Sequence, residues 1–78
     1  MENGIFRLTE EINGQNGVIP NDYDFETGTL FKVIRLTKDS VECVEVDGDG
    51  FDLDLENNEW AFDPVEFRMV TERIDQSV

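Results

Sequence analysis

The chain has no histidine, one cysteine, two prolines and only six lysine or arginine residues among 78. Each scarcity removes a class of explanation. Without histidine the commonest general base and metal ligand are missing, and a lone thiol cannot build a Cys/His zinc site or an intramolecular disulfide framework. Cys43 sits in an alternating apolar run with acids beside it, surroundings that raise a thiol's pKa instead of activating it, so it reads as a small core residue. Paired carboxylates could serve a glycosidase, but such a couple needs a cleft that separates two environments, which a chain this short rarely supplies. We therefore expect no enzyme, no cofactor and no metal centre. The opening MENGIFRLTEE lacks the regions of a signal peptide, and no apolar run approaches the ~18 residues of a membrane span. The expectation is a cytoplasmic protein that does not engage membranes.

What is present is acid and a modest apolar complement. Hydrophobic residues make up 38% of the chain, with six Phe and one Trp, enough for one small core. Asp and Glu number 19, which leaves a net charge of −13. A surface this negative repels nucleic acid and draws in basic proteins or cations. Direct nucleic-acid binding is excluded on that ground.

Apolar periodicity predicts short strands separated by tight turns. Ile5 to Ile12 alternates, with Phe6, Leu8 and Ile12 on one face and Arg7, Thr9 and Glu11 on the other. Asn13-Gly14 and Asn16-Gly17 are hairpin-turn dipeptides, and Val18-Ile19-Pro20 resumes an extended path with proline at an edge. The stretch from Asn21 to Thr29 reads as a loop anchored by Tyr23 and Phe25. Leu30 to Leu36 is apolar on both parities, as a strand covered on both faces would be. In Val41 to Val46 the phase shifts between Cys43 and Val44, which predicts a β-bulge that turns Val41, Cys43, Val44 and Val46 all to the core. After the turn Asp47-Gly48-Asp49-Gly50 comes a strand pattern with Phe51, Leu53 and Leu55 inward and Asp52, Asp54 and Glu56 outward. Trp60 and Phe62 continue the apolar series. Asp63-Pro64-Val65-Glu66 has the chemistry of a helix start, Asp at the N-cap and Pro at N1, but the little chain that remains predicts a single 3₁₀ turn. Phe67, Met69 and Val70 then form the last strand. The domain occupies residues 1–72 and residues 73–78 are a polar tail.

This order of elements predicts a mainly β fold, a small SH3-like barrel of about five antiparallel strands with a short 3₁₀ turn before the last. The runs GTLFKVIRL, VECVEVDGDGFDLDL and WAFDPVEFRMV resemble small phage-encoded SH3-like barrel proteins of unassigned function, over residues 28 to 70. The resemblance implies a fold and a viral setting, in the cytoplasm of a bacterial host, and no activity.

The acidic residues are segregated along the chain. No basic residue lies between Lys38 and Arg68, whereas Asp39, Glu42, Glu45, Asp47, Asp49, Asp52, Asp54, Glu56, Glu59, Asp63 and Glu66 all do. On a strand, Asp52, Asp54 and Glu56 would step by roughly 6.7 Å along one face. A regular ladder of carboxylates on a rigid scaffold can imitate a phosphate backbone and fit a groove lined with Lys and Arg. The partner-binding candidates are accordingly Glu42, Glu45, Asp47, Asp49, Asp52, Asp54, Glu56, Glu59 and Asp63. The expected partner is a basic, nucleic-acid-binding host protein. Two other readings compete with this one. An aromatic patch of Tyr23, Phe25 and Trp60 could make the chain an assembly module whose acidity serves solubility, as a monomer or a homodimer. Counting from Glu45, EVDGDGFDLDLE also places acids at positions 1, 3, 5 and 12 of a calcium loop, with Gly50 at position 6. That loop needs a flanking helix, and Val41 to Val46 has strand chemistry.

Overall fold

The computed structural model describes residues 4–16, 23–49, 51–53 and 58–74. Within them the chain forms β1 (Ile5–Leu8), β2 (Ile12–Gly14), β3 (Tyr23–Phe25), β4 (Leu30–Leu36), β5 (Val41–Val46), β6 (Glu59–Phe62), α1 (Pro64–Met69) and β7 (Thr71–Arg73). The protein is mainly β. Five strands make one antiparallel sheet in the order β6-β5-β4-β1-β7, and β2 pairs with β3 in a second, two-stranded sheet.

Strand alternation decides which side of the large sheet is buried. Register pairs Phe6 with Phe31, Val33 with Cys43, Leu36 with Val41, Val41 with Phe62 and Cys43 with Trp60, so these side chains share one face. Ile12 and Phe25 from the small sheet and Phe67 and Val70 beyond β6 complete the core on that face. The rings interlock edge to face. Phe25 lies 4.8 Å from both Phe31 and Trp60, and Phe31 lies 5.1 Å from Phe62. Such pairs add about 0.5–1.5 kcal/mol beyond the ~1.5–3 kcal/mol that burying each large apolar side chain contributes.

Among the described residues, backbone hydrogen bonds between Gln15 and Ala61 join the two sheets. Gln15 N–H donates to Ala61 C=O at 3.1 Å and Ala61 N–H donates to Gln15 C=O at 2.8 Å, so the end of β2 covers the outer edge of β6. The Asn16 side-chain amide extends this seam by donating to the Glu59 carbonyl at 2.8 Å.

Several expectations are corrected. The first alternating run is broken at Thr9 and Glu10, so Phe6 and Leu8 belong to one sheet and Ile12 to the other. Asn13-Gly14 is not a turn but part of β2, and Tyr23 to Phe25 is a strand instead of a loop. The bulge sits in β4, not in β5. Register shifts between Val33 and Arg35, which leaves Ile34 as the extra residue. That insertion explains why β4 is apolar on both parities: Phe31 and Val33 face the core before it, Leu36 packs against the core after it, and Ile34 is exposed. Val44, on the outer face, is only half-buried.

The predicted 3₁₀ turn is a six-residue α-helix. Phe67 N–H donates to Asp63 C=O at 2.8 Å and Val70 N–H to Glu66 C=O at 3.1 Å, the four-residue spacing of an α-helix. Phe67 and Met69 therefore lie in α1, and the last strand is Thr71–Arg73, paired with β1. Phe51 does not face the core: it is 70% exposed, and Leu53 is half-buried. Leu55 and Val18-Ile19-Pro20 lie outside the described residues.

Candidate functional site

The carboxylates expected to bind a partner stand in distinct surroundings. Asp47 is committed to its turn, because Oδ1 accepts from the backbone N–H of Asp49 at 2.9 Å and of Phe51 at 3.1 Å. Asp63 caps α1, accepting from Val65 N–H at 2.8 Å. Glu45 pairs in register with Phe31 and so lies on the core side of β5, half-buried, where burial pushes its carboxyl above the ordinary range. Asp49 and Glu59 are exposed. Asp54 and Glu56 lie outside the described residues, and with them most of the predicted Asp52-Asp54-Glu56 ladder.

A stepped line of carboxylates nevertheless arises from two separate segments. Asp52 lies opposite Val46, and Glu59 lies opposite Val44. Val44 and Val46 occupy alternate positions of β5, so Asp52 and Glu59 are placed two strand positions apart along it, a backbone step of about 6.7 Å. Glu42, on the same face, pairs with Ala61 one step further. Between Asp52 and Glu59 the chain returns to the same residue. Leu53 N–H and the Asn58 side-chain amide both donate to the Glu45 carbonyl, at 3.2 and 3.0 Å, and Asn58 Oδ1 accepts from Glu45 N–H at 3.3 Å. The Asn58 side chain thus stands where a strand backbone would.

The segregation of charge along the chain does not carry over wholly to the fold. Because β4 lies between β1 and β5, Lys32 reaches Asp52 at 2.9 Å and Arg35 reaches Glu42 at 3.5 Å, while Arg7 of β1 pairs with Glu72 of β7. These are exposed or partly exposed pairs, each contributing at most about 1 kcal/mol. Past β6, the last turn of α1 carries the exposed Arg68. Two depressions flank the Gln15–Ala61 seam and share those two residues as walls. One, about 450 Å³, is lined by Asn13, Gln15, Asp39, Ser40, Ala61, Phe62, Asp63 and Glu66. The other, about 190 Å³, is lined by Gln15, Glu42, Glu59, Trp60 and Ala61. No Lys or Arg is among the described residues that line either one.

Asp39 and Glu66 are the residues that site selection from the sequence missed. Both belong to the acidic run after Lys38, but their meeting across the end of β6 depends on the β4–β5 turn and α1 converging there. The aromatic trio Tyr23, Phe25 and Trp60 does come together, Tyr23 lying 4.8 Å from Phe25 and 5.6 Å from Trp60. Phe25 and Trp60 are core residues, however, and Trp60 Nε1 donates to Asn58 Oδ1 at 3.3 Å, so Tyr23 alone of the three is exposed. The calcium-loop reading is overturned at its flank: Val41–Val46 is a strand, and Asp47 Oδ1 is occupied by backbone donors. Cys43 is fully buried. Burial, followed by the neighbouring charge of Glu42, pushes its thiol far above the ordinary range, which makes it inert.

Comparison of the chain with protein-family models, with curated proteins and with solved structures found no match.

Proposed function

We propose that this is a non-catalytic acidic binding protein, built as a small SH3-like barrel, that occupies a basic nucleic-acid-binding surface of another protein. In the viral setting implied by the sequence resemblance it is an inhibitor or modulator of a bacterial host protein, acting in the host cytoplasm. The observation that carries this reading is the side of the molecule around β6. There Asp52, Glu59 and Glu42 follow strand spacing, with Asp52 and Glu42 paired to Lys32 and Arg35, Asp39, Asp63 and Glu66 line the depression at its end, and no Lys or Arg is among the described residues that line the two depressions. The six basic residues, even if every one were paired, would leave 19 − 6 = 13 carboxylates unmatched. A rigid array of this kind complements a groove that holds phosphates at regular intervals. The Gln15–Ala61 hydrogen bonds support the barrel, since they join the small sheet to the β6 edge of the large one.

The test is capture from bacterial lysate on immobilised protein, washed at stepped salt, with the double reversal Glu42→Lys and Glu59→Lys beside the native chain. The expected outcome is a basic partner released progressively as salt rises and not retained by the double variant. A partner retained at high salt and equally by the variant would overturn the charge-based reading and favour contacts through Tyr23.

A further inference from the structure

Helix α1 carries an apolar ridge that the fold does not use. Phe67 is its buried residue, whereas Val65 and Met69 are 69% and 76% exposed. They are four residues apart, so their side chains lie one above the other on the solvent side of the helix. Met69 is a flexible, polarisable side chain suited to adaptable apolar contact. The ridge does not stand alone. Glu66 is three residues before Met69, about 60° away around the helix, and it lines the larger depression together with Asp39 and Asp63. An apolar strip therefore runs beside a cleft lined by carboxylates and, among the described residues, by Asn13, Gln15, Ser40, Ala61 and Phe62.

We propose that α1 and this cleft together dock a basic amphipathic segment of the partner, whose aliphatic side chains cover Val65 and Met69 while its Lys or Arg side chains enter the cleft against Asp39, Asp63 and Glu66. The charge of the cleft selects this occupant: a purely apolar segment would leave the carboxylates facing it without counter-charge, and a second copy of this chain would bring like charge to like. Charge draws the segment in, and the ridge supplies affinity that salt does not remove. The inference rests on the proposed function, because it presumes a basic partner, and it adds which part of the surface confers selectivity.

The experiment uses two synthetic peptides of equal positive charge, one with leucines spaced along one face of a lysine-rich helix and one with every leucine replaced by serine. Both are titrated by fluorescence anisotropy into the native protein, Val65→Ser/Met69→Ser and Asp39→Asn/Glu66→Gln, whose folding is checked by circular dichroism. All four substituted side chains are exposed, so the folds should persist. The leucine peptide is expected to bind the native chain roughly tenfold tighter than the serine peptide. The serine variant should lose that advantage while binding the serine peptide as before, and the amide variant should weaken both. Equal, salt-sensitive binding of the two peptides would overturn the docking inference and leave the proposed function standing. Binding of neither peptide, or binding indifferent to salt, would overturn both. An Asp49→Asn control tests location, since its turn lies at the opposite end of β5 from Asp39, about 20 Å away along the strand. If it weakened binding as much as the amide variant, the site would be the net charge and not this cleft.

Discussion

Gly14 shows how a single residue can be identified correctly and explained wrongly. In the sequence it follows Asn13 and has the look of a turn glycine. In the fold it is buried in β2, and a Cβ there would stand 2.7 Å from Phe62 Cε1 and 3.0 Å from Phe25 Cε2. It is a glycine because two rings of the core press against its backbone, a reason that no local pattern contains. Gly14→Ala should therefore lower stability by about 1–3 kcal/mol through overpacking, read as a lower denaturant midpoint with unchanged slope. By contrast Gly28 has φ +95°, a backbone conformation that favours glycine, and its place at the end of the polar stretch before β4 is legible from sequence. Cys43 was legible too, because one thiol among alternating apolar residues has few alternatives. Glu45 was not: its alternation with Cys43 and Val44 gives no sign that it would share a face with Phe31 and lose part of its hydration.

At the scale of elements, β4, β5, β6 and the start of β1 follow directly from apolar content and period, whereas β2, β3 and β7 do not. The double parity of β4 is the imprint of a bulge at Ile34, and the same ambiguity in β5 misplaced it, because a phase shift read on one strand does not say which of two paired strands holds the extra residue. The helix was recognisable at its start, where Asp63 caps and Pro64 occupies the first turn, yet its length was set by Phe67 reaching the core between Phe6 and Phe62. The return of the chain to β5 depends on a side chain standing in for backbone. Asn58 satisfies both the N–H and the C=O of Glu45 and also receives the Trp60 indole N–H. Replacing Asn58 with Ala should cost roughly 1–3 kcal/mol, since the Glu45 N–H and the Trp60 indole N–H lose this acceptor together while the Glu45 carbonyl keeps Leu53 N–H. Hydrogen exchange at the Glu45 amide should accelerate in that variant while the amides of β1 stay protected. Uniform acceleration across the sheet would show that Asn58 supports the whole fold and not this junction.

At the scale of the whole molecule the topology redistributes a charge pattern that looked simple in one dimension. The basic residues precede or follow the acidic run in sequence, but the strand order sets Lys32 and Arg35 of β4 beside acids of β5 and of the hairpin that follows it, so that part of the surface is mixed. The two depressions beside the Gln15–Ala61 seam have carboxylates and neutral residues in their walls and, among the described residues, no Lys or Arg, although Glu42 in the smaller one is paired with Arg35. Composition made the magnitude of the charge plain; its location needed the order of strands. A molecule so charged repels itself, and that cost is compatible with a surface kept for binding. The central claim is that this surface takes the place of nucleic acid on its partner. Its most direct measurement is competition: the partner captured from lysate is loaded with fluorescent duplex DNA or with RNA, and the acidic protein is titrated in at fixed salt. The account predicts full displacement of the nucleic acid, with an inhibition constant equal to the protein's own dissociation constant for that partner, and much weaker displacement by Glu42→Lys/Glu59→Lys. A ternary complex in which nucleic acid stays bound as the acidic protein saturates its partner would contradict it.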